Sequence, residues 1–305
     1  MRISVCICTF RRPQQLATLL HAIAAQSLTG IDAVQVVVVD NDPANSAGAF
    51  LRSFEMGPPF SLVALHVPQP NISVARNCAI GAALGELIAF IDDDEVPVAD
   101  WLLQLLKTMQ THNAEVVFGP VLAVYQDSTP EWIRKGGYFE RRRFSTGTPI
   151  DEADARTGNV LLKAPLLKEL TQPFETSFGR TGGEDSLLFR DLLAGGARFI
   201  WCDEATVSEE VPDDRASATW LLKRSFRIGQ TWIRAELHRL SGLRRWHRGI
   251  YLSVKAAGQL LASAALTVAW LPLSRTRSFR WLRTAYAQAG KLTGMTAFHY
   301  KEYGG

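Results

Sequence analysis

Leu87-Ile88-Ala89-Phe90-Ile91-Asp92-Asp93-Asp94-Glu95 passes from an apolar run straight into consecutive carboxylates. The apolar half reads as a strand buried on both faces of a parallel sheet. The carboxylates then emerge at its C-terminal end, where open α/β sheets hold their ligands. Adjacent like charges repel unless a cation sits among them. Hard oxygen ligands facing a crevice suit Mg²⁺ or Mn²⁺, whose shell is usually completed by substrate phosphates. The same residues also read as the acidic N-terminus of a helix over 99–112, with Glu95 and Asp100 complementing its dipole. This stretch alone does not choose between the two.

Outward from this strand the pattern repeats. Apolar runs at 3–8, 34–39 and 62–67 alternate with helical patterns at 13–26, 47–54 and 73–83. Such βαβα order predicts an open, mostly parallel twisted sheet with helices on both faces. Pro13 suits the start of the first helix, Gly30 follows its end, and Ser73 is placed to cap the third. Residues 115–124 form a further apolar run, and the polar stretch 126–156, with Arg141-Arg142-Arg143, reads as long loops over the sheet. Strands are expected at 157–162 and 198–202, and a helix at 184–193.

The chain of 305 residues, 47% hydrophobic, has enough apolar side chain for one large domain and an appendage. Its net charge of +3 conceals an asymmetry. Residues 1–212 carry 17 Lys and Arg against 26 Asp and Glu, a net −9, and residues 213–305 carry 16 against 4, a net +12. Two units are therefore expected, 1–212 and a basic helical region 213–305, the latter meeting an anionic surface or the acidic body itself. Cys6, Cys8, Cys78 and Cys202 lack disulfide or zinc spacing, which fits a reducing cytosol. The N-terminal apolar run is too short for a signal peptide.

Within the basic region, residues 256–272 are nearly all apolar, with Arg244, Arg245, Arg248 and Lys255 before and Arg275, Arg277, Arg280 and Arg283 after. At about 1.5 Å per residue the stretch spans about 25 Å as a helix, short of a hydrocarbon core of roughly 30 Å. The basic flanks and Trp246, Trp270 and Trp281 favour helices lying on an anionic leaflet. A buried or dimerising hairpin and a true span are the other readings. Charge alone would also fit nucleic acid, but the long apolar stretch favours lipid and excludes that partner.

Asp40-Asn41-Asp42 ends the second strand and faces the same crevice as Asp92 to Asp94, although Asp, Asn and Pro43 are also ordinary turn residues. One such site reads a base or ribose while the other holds a metal-bridged diphosphate. Arg76, near the start of the third helix, is placed to pair with a carboxylate or a phosphate, and Arg11 and Arg12 likewise. Gly182-Gly183-Glu184-Asp185 leads a flexible glycine pair into a helix. There Glu184 serves as a cap, or Asp185 as a general base over a sugar acceptor.

Cys8-Thr9-Phe10-Arg11-Arg12-Pro13, Val39-Asp40-Asn41, Ala75-Arg76-Asn77, Ile91-Asp92-Asp93-Asp94, Gly158-Asn159 and Gly183-Glu184-Asp185, in that order, resemble an inverting family 2 glycosyltransferase of GT-A fold, over roughly residues 1–230. The resemblance implies that Thr9, Arg11 and Asp40 hold the nucleoside, that Arg76 lies beside the diphosphate, and that Asp92 and Asp94 are the D-x-D pair. Asp94 would be the direct metal ligand and Asp93 would lie near the ribose or donor sugar. Asp185 would be the base, and Gly183, Glu184 and Asn159 would meet sugar or acceptor. Many relatives place a histidine ligand after the late strand. Residues 207–212 offer none, and Glu209 or Glu210 is the substitute.

From Arg215 through Trp220, Arg224 and Gly229 the sequence resembles the helical region of bacterial members that build surface glycans. That implies a polyprenyl-linked acceptor and a place at the inner face of the plasma membrane; pairing with a second copy is left open. The family resemblance implies a UDP-sugar donor first, with thymidine or guanosine nucleotides as the alternatives. The rivals are a nucleotidyltransferase, whose glycine-rich loop is missing from residues 9–15, and a non-catalytic nucleotide-sugar-binding scaffold, against which the intact Glu184-Asp185 argues.

Overall fold

The computed structural model describes residues 1–295; the last part of the basic region, 296–305, lies outside them. Four parallel strands, β1 (Arg2–Thr9), β2 (Ala33–Asp40), β3 (Phe60–His66) and β4 (Leu87–Ile91), form one half of the main sheet. Beyond β4 come β8 (Asn159–Lys163), β6 (Val116–Phe118) and β9 (Phe199–Trp201), in the order β3-β2-β1-β4-β8-β6-β9. β8 runs antiparallel to both neighbours and the other pairings are parallel. The order reverses beside β1, which makes the ends of β1, β2 and β4 the crevice of the sheet. Register puts Thr9 opposite Asp40 and Ile91 opposite Asn159, so the motif residues leave the sheet at a common level.

Side chains alternate across the pleat. Ile3, Val5 and Ile7 pack with α1 (Pro13–Ala24), α2 (Gly48–Ser53) and α4 (Trp101–Thr111) on one face. Cys6, Val37, Val39 and Phe90 pack with α3 (Ile72–Ala82), α6 (Pro165–Lys168) and α7 (Glu184–Ala194) on the other. The apolar run at 115–124 does not make one strand. Gly119-Pro120 interrupts it, and its second half becomes β7 (Val121–Tyr125) in a small sheet with β5 (Glu95–Pro97) and β10 (Val207–Val211). The stretch 126–156, expected to be loop, contains α5 (Glu131–Gly136), which ends at Gly137 in the left-handed region. Asn71, not Ser73, caps α3: its Oδ1 accepts from the Val74 N–H, while the Ser73 hydroxyl donates to the Glu175 carbonyl.

The basic region is α8 (Ala218–His238), α9 (Gly242–Trp270) and α10 (Arg275–Thr293). α10 lies along both α8 and α9, and Phe279 from it closes an apolar cluster with Ile133, Tyr138, Val211 and Leu221. The region is thus docked on the α5 side of the body through aromatic contacts such as Phe279 on Trp132.

Asn159 joins the two sheets. Its amide donates to the carbonyls of Pro120 and Ala205 at 2.9 and 2.7 Å, and its Oδ1 accepts from the Trp101 indole at 2.7 Å, all out of water. Removing it strands three buried polar groups. Asn159→Ala is expected to cost about 3 kcal/mol, seen as a lower urea midpoint; an unchanged midpoint would show that water replaces the side chain without loss.

Candidate active site

The carboxylates after β4 do not start a helix. β5 intervenes, and α4 has no acidic residue in its first turn. They instead meet a ring of arginines. Asp93 is buried, accepting from the Thr9 hydroxyl at 2.8 Å and from Arg12 at 2.9 Å. Burial pushes its carboxyl up to about 6 even against Arg12. Arg12 also donates to Asp94 at 2.7 Å, and Arg215 stands 3.9 Å from the same carboxylate oxygen. Arg12, not Arg11, is therefore the guanidinium at this cluster. Arg11, with its backbone in the left-handed region, turns aside to Asp42 at 3.2 Å and to the Phe10 ring.

Asp40 is committed to its turn, accepting from the N–H groups of Asp42 and Ala47 at 2.9 and 2.7 Å. Asn41 ties the end of β2 to the next crossing, donating to Val67 and Gln69 and accepting from the Asn71 N–H. Asn71, Ser73 and Asn77 in turn strap residues 174–176 to α3. By this chain of bonds the crevice fixes the approach to the second acidic element.

That element is held by Arg76. Its guanidinium, buried under Phe174, donates to Glu184 at 2.6 Å and lies 3.5 Å from Asp92. Burial opposes its charge, but Glu184 and Asp92 outweigh burial and hold Arg76 above the ordinary guanidinium range. Glu184 is thus an ion-pair partner, and the cap position belongs to Gly183. Gly182 and Gly183 both have positive φ, at 82° and 100°, and a Cβ on Gly183 would meet the Thr231 methyl at 2.4 Å. Thr231 and Arg234 of α8 donate to Thr181 at 3.0 and 2.6 Å, clamping the loop from outside.

Asp185 opens onto a cavity of about 630 Å³ whose walls include Arg141, Asn159, Gly183, Arg224 and Trp232. Asn159 borders it with both polar side-chain atoms committed to the protein. Asp92, Asp93 and Asp94 are not among its walls. Arg141 bridges the two, lining the cavity and donating to Glu209 at 3.3 Å. Of the two candidates for the missing histidine, Glu209 faces inward: it is bonded to Arg141 and Arg215, and burial, then Asp94, raises its carboxyl. Glu210 points outward to Gln126.

For a divalent ion the donor chemistry fits. Asp92 is half-exposed at 47%, Asp94 is beside it, and buried Glu95 has an Oε1 without a partner, its carboxyl raised well above the usual range by burial and then by Asp92. Gly158 permits this packing, since a Cβ there would meet Glu95 at 2.6 Å. Among the described residues no three His, Cys, Asp or Glu side chains form a complete site, so substrate oxygens would have to fill the shell. Sequence reading passed over Arg141 and Arg215 as ligand-site residues because loop arginines are ordinarily solvated; the Arg141-Arg142-Arg143 run was the one available signal.

Residues 4–170 match the family model for Glycosyl transferase family 2. The chain belongs to that family. The succinoglycan biosynthesis protein ExoM of Rhizobium meliloti is 36% identical over 309 residues, covering 100% of this chain and 96% of the relative. A glucosyl-dolichyl phosphate glucuronosyltransferase of Haloferax volcanii is 26% identical over 74% of each chain. In structure the chain is similar to a Pyrobaculum calidifontis mannosyltransferase in complex with GDP-Man and Mn²⁺ (TM-score 0.64, 20% identity, 96% of this chain and 87% of that one). It is also similar to S. aureus TarS 1–349 in complex with UDP-GlcNAc (TM-score 0.53, 16% identity, 96% and 91%). The fold is that of the GT-A glycosyltransferases.

Arg76→Met leaves Glu184 buried beside no cation and is expected to cost about 3–5 kcal/mol in urea unfolding. Arg76→Met combined with Glu184→Leu should recover much of that loss; strictly additive costs would mean that the pair is not coupled.

Proposed function

We propose that this family 2 enzyme moves a sugar from a nucleoside-diphosphate sugar, a UDP-sugar first, to a hydroxyl of a lipid-linked glycan in surface polysaccharide assembly, with inversion. The observation that carries it is Arg76, which spans from Asp92 in the strand-end crevice to Glu184 beside Asp185. One side chain thereby links a nucleotide-diphosphate end to an acceptor end. The full-length similarity to a succinoglycan biosynthesis protein supports the polysaccharide role, and the neighbours solved with UDP-GlcNAc and with GDP-Man support a nucleotide-sugar donor.

In this reading Thr9, Asp40 and the Asn41 crossing frame the nucleoside and Asp93 meets ribose or sugar. Asp185 takes the proton as the acceptor oxygen bonds to the anomeric carbon. The bond from that carbon to the diphosphate oxygen breaks, its electron pair leaving with the nucleotide, and no enzyme-bound sugar forms. Asp94 with Asp92 would hold Mg²⁺ or Mn²⁺, with substrate oxygens completing the shell and Glu209 the further candidate ligand; the ion would supply charge stabilisation on the leaving diphosphate. Arg12, Arg141 and Arg215 neutralise the carboxylates and are positioned to turn to phosphate, while Arg76 lies beside the diphosphate and keeps its pairs with Asp92 and Glu184. Residues 1–212 would be the transferase unit and 213–305 its acceptor-side helical region.

Membrane attachment rests on α9. It is the one helix among the described residues long and apolar enough to cross a membrane, and little of it is buried. Leu243, Trp246, Ile250, Val254, Leu261 and Val268 are all exposed, and at about 100° per residue they fall on one stripe. Arg244, Arg245, Arg248 and Lys255 fall on the opposite face, where Arg245 donates to the Leu237 carbonyl and Arg248 pairs with Glu236; an apolar stripe backed by a basic face is the pattern of a helix lying in a membrane interface.

Asp185→Asn should lower sugar transfer by a factor of about 10²–10⁴ while nucleotide affinity stays within a few-fold; near-normal transfer would remove Asp185 as the base. The full chain should float with phosphatidylglycerol-containing vesicles and much less with phosphatidylcholine alone, and Val254→Asp with Leu261→Asp should release it. Equal flotation of the variant would take α9 out of the interface.

A further inference from the structure

We propose that Trp232 of α8 is a stacking platform for a sugar ring, which makes the Asp185 cavity selective for an acceptor whose pyranose presents an apolar C–H face. Trp232 lines the cavity and is 37% exposed, and Ile228, one helical turn before it, lines the same cavity at 49%. Trp201, the cavity's other tryptophan, is buried and its indole N–H donates to Asp203 at 3.2 Å.

The exposed indole is held in place from two sides. Lys291 of α10 stands 4.3 Å from its ring centroid, and a cation seated over a ring covers one face and leaves the other. α10 comes this close because a Cβ on Gly229 or on Gly290 would meet a backbone carbonyl of the facing helix at 1.9 Å, and neither residue has one. Thr231, next to Trp232 in the chain, donates to the Thr181 carbonyl at 3.0 Å and packs where Gly183 lacks a side chain. The ring is therefore tied to the loop that carries Asp185.

Much of the remaining wall is charged and already compensated. Arg142 is bonded to Asp154, and Arg190 to Glu152 and Glu236. Hydrocarbon laid against these pairs would strip their water and return no hydrogen bonds. A pyranose suits both surfaces, since its hydroxyls can bond to the charged rim while one face of the ring offers C–H groups to the electron-rich face of an indole. The volume of about 630 Å³ is in the range of small-molecule sites. The carbohydrate site stands on this geometry; that its sugar is the acceptor rests on the transferase reading.

The test is saturation-transfer NMR on the full chain, without nucleotide or metal, using methyl β-D-glucopyranoside and methyl β-D-galactopyranoside as probes. Axial ring protons of at least one glycoside should take up saturation in the wild type. Uptake should fall about ten-fold in Trp232→Leu, which keeps apolar bulk without a ring, and be largely kept in Trp232→Phe. In fluorotryptophan-labelled wild type, the resonance missing from Trp232→Phe should shift when the same glycoside is added, a readout that needs no destabilising substitution. No uptake from either glycoside, uptake unchanged in Trp232→Leu, or an unmoved Trp232 resonance would overturn the proposal. So would a Trp232 resonance that moves with dissolved geraniol and with neither glycoside, which would make the ring a lipid wall. Trp232-dependent sugar binding in a chain that transfers no sugar would leave the carbohydrate site standing and remove the transferase reading, whereas transfer with an unmoved Trp232 resonance would do the reverse.

Discussion

The buried guanidinium of Arg76 is the interaction on which the arrangement of the site depends. It sits on α3, one helical turn past the Asn71 cap, and holds Asp92 from β4 and Glu184 from α7 at once. Those carboxylates come from positions far apart in the chain, and each would be costly to bury alone. With Arg76 between them, the crevice at the sheet's switch point and the loop carrying Asp185 are set at a fixed separation. Phe174 covers the guanidinium and keeps water from loosening it. A nucleotide-sugar bound across that separation would present its sugar to Asp185, which is why the proposed chemistry follows from this pair more than from any single motif.

Around this pair the protein balances a dense field of like charge. Arg12, Arg141 and Arg215 come from the β1–α1 turn, the loop after α5 and the approach to α8, and they converge on Asp93, Asp94 and Glu209. Removing the loop after α5 or the approach to α8 would take from Glu209 one of its two arginine partners. The helical region thus contributes to the site as well as to the outer surface. Thr231 and Arg234 clamp the Thr181 loop, and the absent Cβ of Gly183 lets α8 approach that closely.

Much of this was legible in the sequence, for reasons that differ by element. The strands β1, β2 and β4 announced themselves because burial on both faces demands unbroken apolar runs. The D-D-D-E stretch and the Gly-Gly-Glu-Asp stretch were visible because such charge and such glycines are costly without a use. The splitting of 115–124 was not visible, since an apolar run carries no record of which sheet each half joins. The capping of α3 by Asn71 in place of Ser73 turned on one residue of register between two good capping types. Arg12 against Arg11 was decided by the positive φ of Arg11, a backbone property that adjacent identical residues cannot reveal.

The account's central claim is that the strand-end crevice binds a nucleoside diphosphate together with a metal held at Asp94. The direct measurement is calorimetric titration of UDP into the full chain, with and without Mn²⁺, beside Asp94→Ala. Affinity that rises at least ten-fold with Mn²⁺ in the wild type and not in Asp94→Ala is the predicted result. UDP binding indifferent to both the metal and the substitution would contradict it.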